Sequence, residues 1–276
     1  KIKDFSSAFL KDKYFSINNR DHLPRFLHRN VKKHSPEIRI EASHLRETRP
    51  ENLKRSATVG SIHSFIDSSQ PTFLFGEIGS GKSSIIAQYV IDQNEAGSLS
   101  LMVPINFAKG KITSDFASLF DCINNFINSN ILIQVPHFDL DFILSNRSCA
   151  IVFDGLDELN YSEARNLIRH LAKLSKEYDE LSIIATGRPI ELQALVRFNE
   201  WNCLTTVDLT ENEIFEILKN EAIASGQNEE NATTDASRRL NFLKSRNELC
   251  LLAKTPLIVC LLRDFLQEGV QDETLG

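Results

Sequence analysis

Residues 72–83 read Thr72-Phe73-Leu74-Phe75-Gly76-Glu77-Ile78-Gly79-Ser80-Gly81-Lys82-Ser83, a short apolar strand candidate running straight into G-x-x-x-x-G-K-[ST]. An apolar-periodic segment follows, so the pattern predicts strand, loop and helix in that order. The chemistry of such a loop is specific. Glycines let successive backbone N–H groups turn inward around phosphate oxygens, and the helix behind the loop presents its positive N-terminal end to the same anion. Lys82 is expected to reach the β- and γ-phosphates and the Ser83 hydroxyl to ligate Mg²⁺. Residues Gly76, Glu77, Ile78, Gly79, Ser80, Gly81, Lys82, Ser83 and Ser84 together form the expected phosphate cradle.

Outward from this loop, short apolar strands alternate with amphipathic helices between residues 72 and 209, the pattern of a parallel sheet covered by helices. Five strands are expected, at Thr72–Phe75, Leu101–Asn106, Cys149–Phe153, Leu181–Thr186 and Cys203–Leu209. A helix is expected over Ser162–Tyr178, where Ala164, Leu167, Ile168, Leu171 and Leu174 recur at helical spacing. After Leu209 the strands stop. Thr210 precedes Glu213 by three residues as in a capping box, and the remainder reads as helices. The expected fold is α/β, a parallel sheet flanked by helices and followed by a small all-helical domain. The expected organisation is a basic segment at 1–60, the nucleotide fold at 61–209 and the helical domain at 210–276.

Two strand ends carry further chemistry. Cys149-Ala150-Ile151-Val152-Phe153-Asp154-Gly155-Leu156-Asp157-Glu158 is an apolar strand ending in carboxylates, the form of a Walker B element. A parallel strand delivers its C-terminal end to the edge where ligands bind, so Asp154 is expected to hold the Mg²⁺ hydration shell opposite Ser83. Glu158, with Asp157 next in order, is expected to orient or deprotonate an attacking water. The strand Leu181–Thr186 runs into Gly187-Arg188-Pro189, and beside the phosphate-loop strand its Arg188 would meet the γ-phosphate.

Composition limits the alternatives. The 276 residues are 42% hydrophobic and 25% charged, ordinary globular values. No apolar run approaches the roughly 20 residues of a membrane span, Leu251 to Leu262 being broken by Lys254 and Pro256. The N-terminus lacks a signal peptide's apolar core. The five cysteines, at 122, 149, 203, 250 and 260, contain no CxxC pair, and reduced thiols in a cytoplasmic protein are expected. Residues 1–60 carry 14 Lys plus Arg against 7 Asp plus Glu, a basic arm on an acidic body whose overall net charge is −6. The arm is expected to dock on its own acidic neighbour or to be solvated. Nucleic acid is an open but unsupported partner, because no Arg-rich or aromatic-interleaved pattern accompanies the charge.

The phosphate loop, then Val152-Phe153-Asp154-Gly155-Leu156-Asp157-Glu158, then Thr186-Gly187-Arg188-Pro189, with helices after them, resembles the NACHT module of the STAND class of P-loop ATPases. Many relatives in that class are innate immune receptors, and bacterial members act in anti-phage defence. The family usually writes Thr-Ser-Arg-Pro where this chain has Thr186-Gly187-Arg188-Pro189, which keeps the arginine in register. The resemblance implies a strand order 5-1-4-3-2, an ATP/ADP preference and self-association into an oligomer on activation. It also implies sensor and effector regions outside this chain, which would make the chain the switch core of a longer protein. Thr255-Pro256-Leu257 is similar to a family segment whose proline packs against the nucleotide base; from the residues alone, Pro256 is equally a first-turn helix residue. Phe26-Leu27-His28-Arg29 is similar to an aromatic-x-x-Arg segment lining the nucleotide pocket in relatives. Its distance of 47 residues from Gly76 favours an ordinary surface contact for Arg29. A slow switch is the expected function. An AAA+-like machine that remodels protein or nucleic acid is the alternative, and a small-molecule kinase is disfavoured because Lys109 and Lys111 are too sparse for a basic lid.

Overall fold

The computed structural model describes residues 29–34, 57–66, 68–130, 144, 149–189, 195–196 and 200–262. Along them run β1 (Asn30–His34), β2 (Ala57–Ser61), β3 (Thr72–Phe75), α1 (Lys82–Glu95), β4 (Leu99–Pro104), α2 (Ile105–Ala108) and α3 (Ala117–Asn130). Then come β5 (Cys149–Asp154), α4 (Tyr161–Glu177), β6 (Leu181–Gly187), β7 (Asn202–Thr206), α5 (Glu211–Ala224), α6 (Glu229–Ser245), α7 (Asn247–Leu252) and α8 (Pro256–Leu261).

The central strands are apolar at successive positions because both of their faces are covered. Along β5, Cys149, Ile151 and Phe153 point into a core with Leu119, Ile123 and Phe126 of α3 and Leu167, Leu171 and Leu174 of α4. Ala150 and Val152 face the other way, onto Ile85, Ile86, Tyr89 and Val90 of α1. The product is three layers with the sheet in the middle. α4 starts where Asn160 caps it, its side chain accepting from Glu163 N while the Glu163 carboxylate returns to the Asn160 N–H.

The five expected strands lie side by side in the expected order 5-1-4-3-2, and the sheet departs from expectation by two further strands at one edge. Among the described residues it has seven strands, in the order β2-β1-β7-β3-β6-β5-β4. The strands from β7 to β4 are mutually parallel. β1 and β2 pair antiparallel with each other, and β1 pairs antiparallel with β7. These two strands escape sequence reading because Asn30-Val31-Lys32-Lys33-His34 offers a single buried apolar side chain, Val31, among polar and charged ones. Part of the basic arm thus belongs to the same sheet as the phosphate loop.

Two strand ends also fall short of expectation. The strand expected to reach Asn106 stops at Pro104, which becomes the N-cap of α2 and so turns Ile105 and Asn106 into helix. The strand expected to reach Leu209 stops at Thr206, since the Val207 carbonyl accepts from the Arg29 side chain. Beyond it, Leu209, Ile214, Ile217, Leu218, Phe242, Leu243 and Val259 form a third hydrophobic cluster, separate from the two that cover the sheet. α5 begins with the expected capping box of Thr210 and Glu213. α8 begins at Pro256, which occupies the first-turn position the sequence allows it.

Phe73 stacks on Phe75 with ring centroids 4.4 Å apart and meets the edge of Trp201 at 5.7 Å. Phe73→Ala is expected to cost about 3–5 kcal/mol of stability by opening a cavity beneath the phosphate-loop strand. Urea unfolding followed by fluorescence of Trp201, the single tryptophan, measures it.

Candidate functional site

The loop between β3 and α1 is held at three levels. β3 lies between β6 and β7, with Phe75 opposite Gly187 on one side and Thr205 on the other. Gly76 N then donates to Gly187 O at 3.2 Å, which starts the loop at the C-terminal edge of the sheet. Two of its glycines carry conformations that L-side chains disfavour, Gly79 at φ 72° and Gly81 at φ 86°. A Cβ on Gly79 would also sit 2.3 Å from the Cβ of Leu257, the second residue of α8. This strand, glycine loop and helix make the P-loop nucleotide-binding fold.

The residues suit an anion. Gly81 caps α1 without a side-chain bond, and the first turn of α1 has no acidic residue. The first closed helical bond is Ile85 N to Gly81 O, so the N–H groups of Lys82, Ser83 and Ser84 lie before the hydrogen-bonded ladder begins. A Cβ on Gly76 would fill the cradle, at 2.5 Å from Ser80 Oγ and 2.6 Å from Thr206 Oγ1. Ser80 Oγ is buried without a hydrogen-bond partner among the described residues. Such a donor set matches a polyphosphate chain.

Lys82 Nζ donates to Gly76 O at 2.5 Å and to Glu77 O at 3.1 Å, which curls the ammonium over the loop. Burial holds its pKa below the ordinary lysine value, and the carboxylates of Asp157 and Asp154 act in the opposite direction. Lys82 and the two aspartates therefore share one electrostatic field at one edge of the sheet. Asp154, the last residue of β5, accepts from Thr186 Oγ1 at 2.5 Å, and the same hydroxyl accepts from Gly155 N at 2.9 Å. Thr186 is fully buried, so this pair of bonds fixes both its rotamer and the aspartate it serves. Asp154 and Ser83 would be the residues to hold a Mg²⁺ ion, which takes one or two protein oxygens alongside phosphate oxygens.

Arg188 follows the Phe75–Gly187 pair directly, and its Nε lies 2.7 Å from Asp157 Oδ2. Asp157, one of the two carboxylates expected to act on water, is thus engaged by a guanidinium. Glu158 is exposed beside Gly155, with Oε1 3.4 Å from where a Cβ on that glycine would stand. Pro256 is buried, and its Cγ lies 3.4 Å from the Cβ position of Gly81. Leu257 N donates to Gly79 O at 3.3 Å, so the first turn of α8 rests on the phosphate loop.

Arg29 is not the surface residue expected from its distance along the chain. It is 5% exposed, its guanidinium donates to the carbonyls of Ser80 and Val207, and its Nε lies 3.8 Å from Glu213 Oε1. The aromatic-x-x-Arg pattern was the available signal; separation in sequence misled because β1 folds back beside β7. Burial pushes the Cys203 thiol up to about 12 and the Cys122 thiol up to about 11, which keeps these two in the unreactive thiol form. No helix among the described residues is long and apolar enough to cross a membrane.

No family model matches the chain, and no curated protein does. Among solved structures it is similar to a DNA replication initiation factor, with a TM-score of 0.45 and 13% identity over 75% of this chain and 60% of that one. It is similar to Cdc6p of Pyrobaculum aerophilum, with a TM-score of 0.40 and 14% identity over 74% and 56% of the two chains. A Walker-type ATPase of Pyrococcus abyssi gives a TM-score of 0.42 and 15% identity over 74% and 66%. The match spans less than two thirds of the length of each of these three proteins.

Thr186→Val keeps the shape of the side chain and removes the hydroxyl that orients Asp154. Metal affinity, read from Mn²⁺ titration by electron paramagnetic resonance in the presence of ADP, is expected to fall by about 10- to 100-fold, with Thr186→Ser restoring it.

Proposed function

We propose that the protein is a P-loop ATPase working as a slow nucleotide-dependent switch of the NACHT type. One observation carries the reading: the loop suited to grip phosphates is the surface on which α8 sits, through Leu257 N to Gly79 O and the close approach of Leu257 to Gly79. A ligand that reshapes this loop changes the seat of the helical segment. Contacts that differ between two positions of that segment are what let a nucleotide shift an equilibrium.

In this proposal the main-chain N–H groups from Gly79 to Ser84 and the Lys82 ammonium bind the phosphates. Ser83 and Asp154 hold Mg²⁺, whose chemistry is to neutralise charge on the β- and γ-phosphates. Glu158 orients the attacking water and accepts its proton. Arg188 is held by Asp157, so it can exchange that carboxylate for a γ-phosphate oxygen and report the triphosphate state. Pro256 lines the side of the pocket formed by the helical segment. The Asp154-Gly155-Leu156-Asp157-Glu158 and Thr186-Gly187-Arg188-Pro189 segments support the NACHT assignment, and with it come adenine preference, a cytoplasmic setting, oligomerisation in the triphosphate state and a role in defence signalling.

The test is the copurifying nucleotide, the assembly mass with ADP and with ATP, and the steady-state turnover. The switch predicts a monomer carrying ADP, a larger assembly with ATP, and turnover below the ordinary range of roughly 1–10³ per second. Turnover within that range without a trigger, and one mass in both nucleotides, would instead fit a remodelling machine. Glu158→Gln is expected to slow single-turnover hydrolysis by about 10²-fold or more while ATP still binds. An unchanged rate would move the role of base away from Glu158.

A further inference from the structure

Arg29 stands 51 residues before Ser80 and 184 before Glu213, yet its guanidinium touches both. One nitrogen donates to the Ser80 carbonyl inside the phosphate loop, and a second donates to Val207 O at 2.5 Å, where the chain leaves β7. The third, Nε, has no hydrogen-bond partner among the described residues and faces Glu213 Oε1 at 3.8 Å. The other oxygen of Glu213 is committed to the cap of α5, accepting from Thr210 N at 2.7 Å and from Thr210 Oγ1 at 2.8 Å. One carboxylate therefore faces a helix start on one side and a buried cation on the other. Gly81 completes the arrangement, since a Cβ there would stand 2.8 Å from Arg29 Nη1.

We propose that Arg29 is a positioning residue of the phosphate loop, whose guanidinium locks the loop backbone to the start of α5 through Glu213. The physical reason is the cost of a buried charge. Burial lowers the Arg29 pKa while Glu213 and Asp208 raise it, so the cation depends on these neighbours. Moving the loop removes the Ser80 carbonyl, and moving α5 removes Glu213. Either motion leaves the guanidinium under-satisfied in a dry site, which makes the two motions occur together. A planar fork with fixed donor directions spans the three groups at once; a lysine ammonium does not. The clamp acts on the proposed nucleotide site through the loop and rests on that reading only for its effect on binding.

The decisive variant is Glu213→Gln, which keeps a side chain suited to the capping position and removes the charge. Glu213 has no hydrogen bond to residues 76–84 among those described. In the full chain, amide hydrogen exchange across residues 76–84 is nevertheless expected to quicken by about five- to tenfold in this variant. Dissociation of a methylanthraniloyl-labelled ADP is expected to quicken with it. Arg29→Gln is expected to do the same, Arg29→Lys not to restore the wild-type values, and the double variant to be no faster than Arg29→Gln alone. Wild-type exchange in the loop of Glu213→Gln would overturn the proposal, as would a double variant whose effect is the product of the two singles. If the wild-type protein fails to bind the labelled ADP, the nucleotide reading falls, and exchange in the loop still decides whether the clamp exists.

Discussion

The ammonium of Lys82 and the carboxylates of Asp154 and Asp157 lie within one another's fields, and the architecture of the site follows from that proximity. Three parallel neighbours make it unavoidable. β3, β6 and β5 end together at one edge of the sheet, so the loop that follows each delivers its side chains to the same place. Had β6 been antiparallel, Arg188 would stand at the opposite edge from Lys82. The hydroxyl of Thr186 then ties the ends of two of these strands, joining Asp154 and Gly155 of one to its own strand. The sheet thus fixes the positions of the charges, and small polar groups fix their directions.

The apolar core and the polar site are two results of the same strand registers. Side chains of alternating direction along β5 cover both sides of the sheet, which leaves the strand ends as the place where polar groups can gather. Above that edge the helical segment contributes Leu257 and Pro256, and the N-terminal arm contributes Arg29. The phosphate loop is therefore covered by two stretches of chain that are distant from it in sequence. By linkage, any ligand that changes the loop changes the docking of those stretches, and any partner that moves them changes the loop by the same free energy.

How much of this could be read from the sequence depended on how local each signal is. The loop of residues 76–83, the carboxylates closing β5 and the arginine after β6 are short patterns whose chemistry is written in consecutive residues. The capping box at Thr210 and Glu213 was legible for the same reason. β1 was not, because one buried valine among charged neighbours gives no apolar period, and its place is set by pairing with Thr206 far along the chain. The role of Arg29 was hidden with it. The turn at Ile105 was missed because its apolar residues fit a strand as well as a helix, and Pro104 decided between them. The ion pair of Arg188 with Asp157 joins two loops, and no spacing rule announces it.

Calorimetric titration of ATP with Mg²⁺ into the wild-type protein and into Lys82→Ala, both checked for folding by Trp201 fluorescence, tests the account most directly. The wild type is expected to bind, and Lys82→Ala to bind about 10- to 100-fold more weakly on losing the charged hydrogen bonds of the ammonium. Equal affinity in the two proteins, or none in either, would contradict it.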